Sequence, residues 1–277
     1  MPTFESDGYL IWYETQGEGQ PIVLTGGFGL LHDQFERVTP LLAQHFRVIN
    51  WDWRGAGRSD RRLVEPPSVS AWVRDLTALW DTLELQQAFL WGTSTGSLVS
   101  IRFAAQAPSR VAALITYPAH RTPLQARPTY ALFADVLETF GWAGFARLVS
   151  WLGLSEQTLS SPAGIAFSEW ETQALARNLT VEAVRPICEA ISVADLTGDL
   201  ERITDVPVLL LGGDSGQLGF DAPAVRVLLD EFLRSVPAAR VAKIAGTGGT
   251  YCVLEDPQES TRAAIEFIRA VTAAQGP

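Results

Sequence analysis

Only three histidines occur in the 277 residues, His32, His45 and His120, so no imidazole comes from the chain beyond residue 120. Cysteine is almost as scarce. Cys188 and Cys252 are too few for a disulfide framework and show no metal-type spacing with a histidine, so neither a metal nor another cofactor is expected and both read as buried thiols. Positive charge is in short supply: 21 Lys and Arg stand against 31 Asp and Glu, for a formal net charge of −10. A phosphate backbone is a poor partner for such a surface, and Arg58, Arg61 and Arg62 form only a small patch against it. No apolar run approaches the roughly 20 residues of a membrane helix. The opening MPTFESDGYL has no basic stretch ahead of an apolar one. These absences lead to the expectation of a cytoplasmic, soluble protein with neither membrane nor nucleic acid as partner.

What is present is apolar mass and alternation. Hydrophobic residues make up 47% of the chain, enough for the core of one large α/β domain. Residues 3–6 and 9–15, joined through Asp7-Gly8, read as an opening hairpin, since Asp-Gly supplies the positive φ of a tight turn. Strand-like and helix-like runs then alternate: strands at 21–25, 46–51, 87–91 and 111–117, helices at 33–44, 69–83 and 97–107. That alternation predicts a mostly parallel sheet covered on both faces. It stops between residues 121 and 200, where helical segments broken by Pro123, Pro128, Pro162 and Pro186 carry many aromatics, Trp142 and Trp151 among them. Strands at 206–211 and 240–244 and helices at 222–235 and from 257 complete the pattern.

One motif concentrates the chemistry. Gly92-Thr93-Ser94-Thr95-Gly96 follows a short apolar strand and precedes a helix-compatible run that Pro108 ends. Small residues around such a serine permit the sharp strand-turn-helix elbow that lifts a hydroxyl above a parallel sheet. RVINWDWRGAGRSD lies about 35 residues earlier, with Asp52, Arg54, Gly55, Gly57 and Ser59 in a D-x-R-G-x-G-x-S pattern, and VPVLLLGGDSG and VAKIAGTGGTYCVLEDP come late in the chain. On these stretches the chain resembles the α/β-hydrolase fold superfamily over nearly its full length, in the lidded group of esterases, epoxide hydrolases and cofactor-independent oxygenases. The resemblance implies an eight-stranded, doubly wound, mostly parallel sheet, with residues 1–120 and 201–277 forming the core and residues 121–200 a helical lid. It also implies Ser94 as nucleophile, with backbone N–H groups of Thr95 and of Gly27 or Phe28 as an oxyanion hole.

Two parts of the usual triad are missing. The carboxylate position falls on Gly216, with Asp214 off register, and the histidine position, five residues before the glutamate of Leu254-Glu255-Asp256-Pro257, falls on Thr250. Without a base a serine hydroxyl is a poor nucleophile, and general-base help is typically worth 10²- to 10⁴-fold. His120, after the 111–117 strand, is the one histidine placed to substitute. His32 and the lid aromatics Trp142 and Trp151, with Thr93, Thr250 and Tyr251, are candidate substrate contacts, while His45 and Asp52 read as structural. The His32-Asp33 pair is similar to one in the ring-cleaving cofactor-independent dioxygenases, which keep the late histidine. Three readings compete. The first is a cofactor-free, non-hydrolytic enzyme of secondary metabolism that isomerises, epimerises, cyclises or eliminates on an apolar or aromatic small molecule. The others are a slow ester or acyl hydrolase using His120, and a non-catalytic small-molecule receptor.

Overall fold

The computed structural model describes residues 2–119 and 122–275. Eight strands form one sheet in the order β1-β2-β4-β3-β5-β6-β7-β8. The hairpin β1 (Thr3–Ser6) and β2 (Tyr9–Gln16) turns through Asp7 at φ 50° and Gly8 at φ 78°, the two successive positive φ values that Asp-Gly accommodates. β2 pairs antiparallel with β4 (Arg47–Trp51), and from β4 onward the sheet is parallel through β3 (Pro21–Thr25), β5 (Ala88–Gly92), β6 (Val111–Thr116), β7 (Val208–Ser215) and β8 (Arg240–Gly248).

In chain order the α-helices are α1 (Thr39–Leu42), α2 (Val69–Thr82), α3 (Thr95–Gln106), α4 (Pro123–Gly153), α5 (Glu156–Leu159), α6 (Pro162–Asn178), α7 (Val181–Ser192), α8 (Pro223–Ser235), α9 (Cys252–Glu255) and α10 (Pro257–Gln275). The helix expected over residues 33–44 is instead a 3-10 turn at Leu31–Phe35 followed by the four-residue α1. Asp33 Oδ2 and the amide of Gln34 are committed to tertiary bonds there, Asp33 Oδ1 lies 3.3 Å from the ring of the adjacent His32, and Pro40 restarts the helix. No helix among the described residues is long and apolar enough to cross a membrane.

Strand periodicity divides the core. On β5, Ala88 and Leu90 face the α2–α3 side with Trp72, Trp80 and Phe103, whereas Phe89 and Trp91 face the other side with Phe35, Phe46 and Phe267. Burial of such large side chains on both faces is the main favourable term holding the layers together.

The β3–β5 register sets the geometry above the sheet. Thr25 lies opposite Gly92, so the loops leaving both strands run side by side, and Thr93 N–H donates to the Thr25 carbonyl at 3.1 Å. Gly96 presses so closely on this loop that a Cβ would stand 2.0 Å from Thr25 O and 2.7 Å from Gly26 O. Both contacts are rigid backbone.

Helices α4 to α7 run between β6 and β7, and buried polar groups tie them to the sheet. Glu171 of α6, fully buried, accepts hydrogen bonds from Ser150 Oγ of α4 and from the hydroxyl of Tyr251, in the turn after β8. Among the described residues no cation pairs with it. Burial therefore pushes its carboxyl up to about 7, against the two hydroxyl donors that favour the ion. At the far end of α6, Asn178 Nδ2 donates to Gly29 O, Leu30 O and Asp33 Oδ2, and Gly57 N–H donates to Asn178 O at 2.7 Å. Glu255 accepts from Gly248 N–H and from Ser155 N–H and Oγ, joining the segment after α4 to the end of β8.

Two outcomes follow from this architecture. Gly96→Ala is expected to unfold the protein or lower its melting temperature severely, read by circular dichroism, whereas Gly246→Ala, where a Cβ meets nothing within 4 Å, carries only the penalty of its φ of 73°. Glu171 keeps its proton in the folded state to a higher pH than in the unfolded chain. Its contribution is complete below about pH 4.5, is lost as pH rises toward about 7, and changes no further above that. Glu171→Gln should remove a loss on the order of 3 kcal/mol across that window, measured by urea unfolding of both proteins at pH 5 to 8.

Candidate active site

Ser94 occupies the turn between β5 and α3 at φ 54°, ψ −125°, a conformation that L-residues rarely adopt. The flanking glycines make it possible: a Cβ on Gly92 would stand 2.4 Å from Ser100 Oγ, and Gly96 meets the Thr25 carbonyl. The loop after β3 crosses the serine directly. A Cβ on Gly27 would lie 2.6 Å from Ser94 Cβ and 3.1 Å from its Oγ.

Gln34 decides how that loop is used. Buried at 1% exposure, it accepts from Gly27 N–H at 2.7 Å and donates from Nε2 to Thr250 O at 3.2 Å. Gly27 N–H is thereby taken, and the expectation that it might serve as the oxyanion donor gives way to Phe28. The N–H groups of Phe28 and Thr95, on either side of Ser94, make no hydrogen bond to another described residue. Donors of this kind stabilise an oxygen on which negative charge develops. Sequence reasoning missed Gln34, because nothing local marks a glutamine in a 3-10 turn as a bridge to a residue 216 positions away.

Ser94 opens on a cavity of about 200 Å³ whose walls include Phe28, Gln34, Tyr117, Tyr130, Phe133 and Thr250. Phe28 stacks on Phe133 at 6.1 Å and meets Phe145 edge-on at 6.0 Å, continuing the apolar wall into α4. The phenols here are donors, not bases. Burial pushes Tyr130 up to about 12 and Tyr117 and Tyr251 well above their ordinary value, so all three stay protonated at neutral pH. Tyr117 already donates to Leu218 O, and Tyr130 pairs with Thr95 Oγ1 at 3.4 Å.

The two positions at which the family resemblance puts the acid and the histidine have different surroundings. At Gly216 a Cβ would meet Leu154 O at 2.4 Å, so the space a carboxylate would cross is occupied, and Asp214 turns instead to Gly246 N–H at 2.8 Å. Thr250 lines the cavity, and its carbonyl accepts from Gln34 and, at 3.5 Å, from Thr93 Oγ1. Cys252 is fully buried in α9, its thiol pushed up to about 12 by burial, and is no nucleophile there.

The remaining candidates separate clearly. Tyr251 lines the cavity while its hydroxyl is held by Glu171. His32 stands outside the cavity walls: Nδ1 meets both oxygens of Asp52 at 2.8 and 2.9 Å, Nε2 is 3.3 Å from Asp33 Oδ1, and its ring lies 4.7 Å from Trp12. The expectation that His32 touches substrate is therefore corrected, because both ring nitrogens face buried carboxylates. Asp52 also accepts from Arg58 N–H at 2.9 Å and from His32 N–H at 3.1 Å, bonds that suit a structural carboxylate. Trp142 packs against Phe145 at 6.2 Å and Trp151 is 50% exposed, and neither forms a cavity wall, so both are corrected as substrate contacts: their rings spend themselves on helix packing and on the surface. His120 lies outside the described residues; Ala119 before it lines the cavity. Among the described residues no cluster of three His, Cys, Asp or Glu side chains is placed to hold a metal ion.

Comparison with known proteins agrees with this frame. A non-heme chloroperoxidase of Streptomyces lividans is 30% identical over 230 residues, covering 77% of this chain and 81% of that protein. A protein named for carbamate hydrolysis, RutD of Azorhizobium caulinodans, is 33% identical over 118 residues, 41% of this chain, and the match spans only 43% of that relative. Among solved structures, an enol-lactonase from Burkholderia xenovorans LB400 superposes with a TM-score of 0.81 at 22% identity, covering 97% of this chain and all of that one. A thermophilic esterase from Thermogutta terrifontis gives 0.80 at 25% identity, with 97% of each chain covered. Residues 20–251 match the family model described as serine aminopeptidase, S33, and with its eight-stranded sheet and serine elbow the chain belongs to that family of α/β-hydrolase fold proteins.

Proposed function

We propose that this chain is an enzyme that works without a cofactor on an apolar or aromatic small molecule bearing a carbonyl, by a non-hydrolytic route of the isomerisation, epimerisation, cyclisation or elimination type. The make-up of the cavity wall carries the reading. A strained serine hydroxyl and two unpaired N–H groups stand beside aromatic and aliphatic side chains, and the described lining residues include no carboxylate, imidazole or amine. Hydrolysis through Ser94 would need a group to take the hydroxyl proton, and the phenols at hand are too basic to have lost theirs. Isomerisation, epimerisation and elimination still move a proton and would need an acceptor beyond the described walls, whereas a cyclisation that only rearranges bonds within one bound molecule needs none. The N–H groups of Phe28 and Thr95 and the Ser94 hydroxyl polarise the carbonyl, and the wall holds the chain in a reactive conformation. Cyclisation asks least for a proton acceptor and fits this lining best. In this reading α4 to α7 act as a lid that supplies Tyr130, Phe133, Val149 and Leu152 to the pocket.

One observation favours a second reading. Because Ala119 lines the cavity, His120 is one residue from it and would be the base of a slow hydrolase. A serine-reactive fluorophosphonate followed by intact-mass measurement separates the two. The expected result is no adduct on the folded protein, and an unchanged blank for Ser94→Ala. A single adduct that disappears in both Ser94→Ala and His120→Ala would establish the hydrolase instead.

A further inference from the structure

The Ser94 cavity, at about 200 Å³, is smaller than the roughly 300–1,000 Å³ in which small-molecule ligands are ordinarily enclosed. Yet it does not end in solid core on the lid side. A second cavity of about 440 Å³ lies between α4 and α7, and Tyr130 belongs to the walls of both. Beyond Tyr130 the cleft is lined by Ala131 and Ala134 of α4 and by Cys188 of α7 with Val193 at its end. The small side chains of Ala131 and Ala134 on α4 leave space unfilled between the two helices at this point. The Cys188 thiol, pushed up to about 12, is a neutral apolar surface, and Arg185 at the rim is already paired with Asp135 and Glu138 at 2.9 and 2.7 Å. Glu189 and Ser192 complete the lining, so the cleft has an apolar floor of Ala131, Ala134, Cys188 and Val193 beside a polar rim whose cation is neutralised, and the floor suits hydrocarbon.

We infer that the substrate is elongated: its carbonyl head sits at Ser94 and an apolar tail passes Tyr130 into the cleft between α4 and α7. Tyr130 is the shared wall of the two cavities, so a shift of this one side chain would join them and place the tail, and the smallness of the head cavity calls for one. Tyr130 is then a specificity-determining residue. Its hydroxyl, 3.4 Å from Thr95 Oγ1, anchors the ring beside the head, while its edge forms the start of the tail channel. Together the cavities fall in the ordinary size range for a ligand site.

This inference rests on the carbonyl-binding reading of the Ser94 cavity, and the test keeps the two apart. Binding of methyl n-alkyl ketones of six to fourteen carbons would be measured calorimetrically on the wild type, on Ala131→Trp and on Val193→Trp. The two substituted positions are exposed and line the cleft but not the Ser94 cavity, so folding should survive. The wild type is expected to bind about 3- to 4-fold more tightly for each methylene added once the head cavity is full. In the tryptophan variants that gain should stop while the six-carbon ketone binds unchanged. Short-chain binding with no gain from length, or a gain that persists in both variants, overturns the tail site alone. If no ketone binds the wild type, the carbonyl-binding reading falls and the tail site with it.

Discussion

The contact on which the rest of the molecule depends is the backbone approach of the β3 loop to the serine elbow. With Thr25 opposite Gly92, the carbonyls of residues 25 and 26 lie where a side chain on residue 96 would stand, and residue 27 lies against Ser94 itself. Three glycines, 27, 92 and 96, are the condition for this approach, since any Cβ would strike backbone or the serine. Ser94 is held in its strained conformation by that packing, which over-determines it from both sides.

A second set of constraints joins α4 to α7 to this frame, and it is polar where the first is steric. Asp33 and Asp52 enclose His32, and Asp33 in turn receives Asn178 and Arg177 from the end of α6, so the elements behind the β3 loop and the helical segment are tied through one chain of buried groups. Glu171 does the same at the other end with hydroxyl partners only, and that difference gives it an unusual affinity for a proton. Buried pairs and networks of this kind add less to net stability than to the uniqueness of the docked arrangement.

The chemistry follows from what those two frames leave in the cavity. The Thr250 carbonyl is tied to Gln34, and the space beside Gly216 is filled by the Leu154 carbonyl. The site keeps the means to bind and polarise an oxygen and holds, on its described walls, no group ready to accept a proton at neutral pH. Family membership and site chemistry therefore point in different directions, as is common where one fold serves many reactions.

Much of this was legible in the chain itself. The alternation of strands and helices, the Asp7-Gly8 turn, the elbow around Ser94 and the absence of histidine beyond residue 120 are local patterns, and local patterns are written in adjacent residues. Even Glu171 left a trace, since it falls on the buried stripe of α6 between Phe167 and Leu175 at helical spacing. The role of Gln34, the diversion of Gly27 N–H, the enclosure of His32 by two carboxylates and the retirement of Trp142 and Trp151 from the pocket left none. Each depends on which residue fills the neighbouring space, in one case Thr250, 216 positions from Gln34. Sequence determined the fold, because steric and hydrophobic periodicity act over a few residues. Only tertiary structure decided which donors remain free and which walls the cavity has, because a hydrogen bond once satisfied across the fold is no longer available to a ligand.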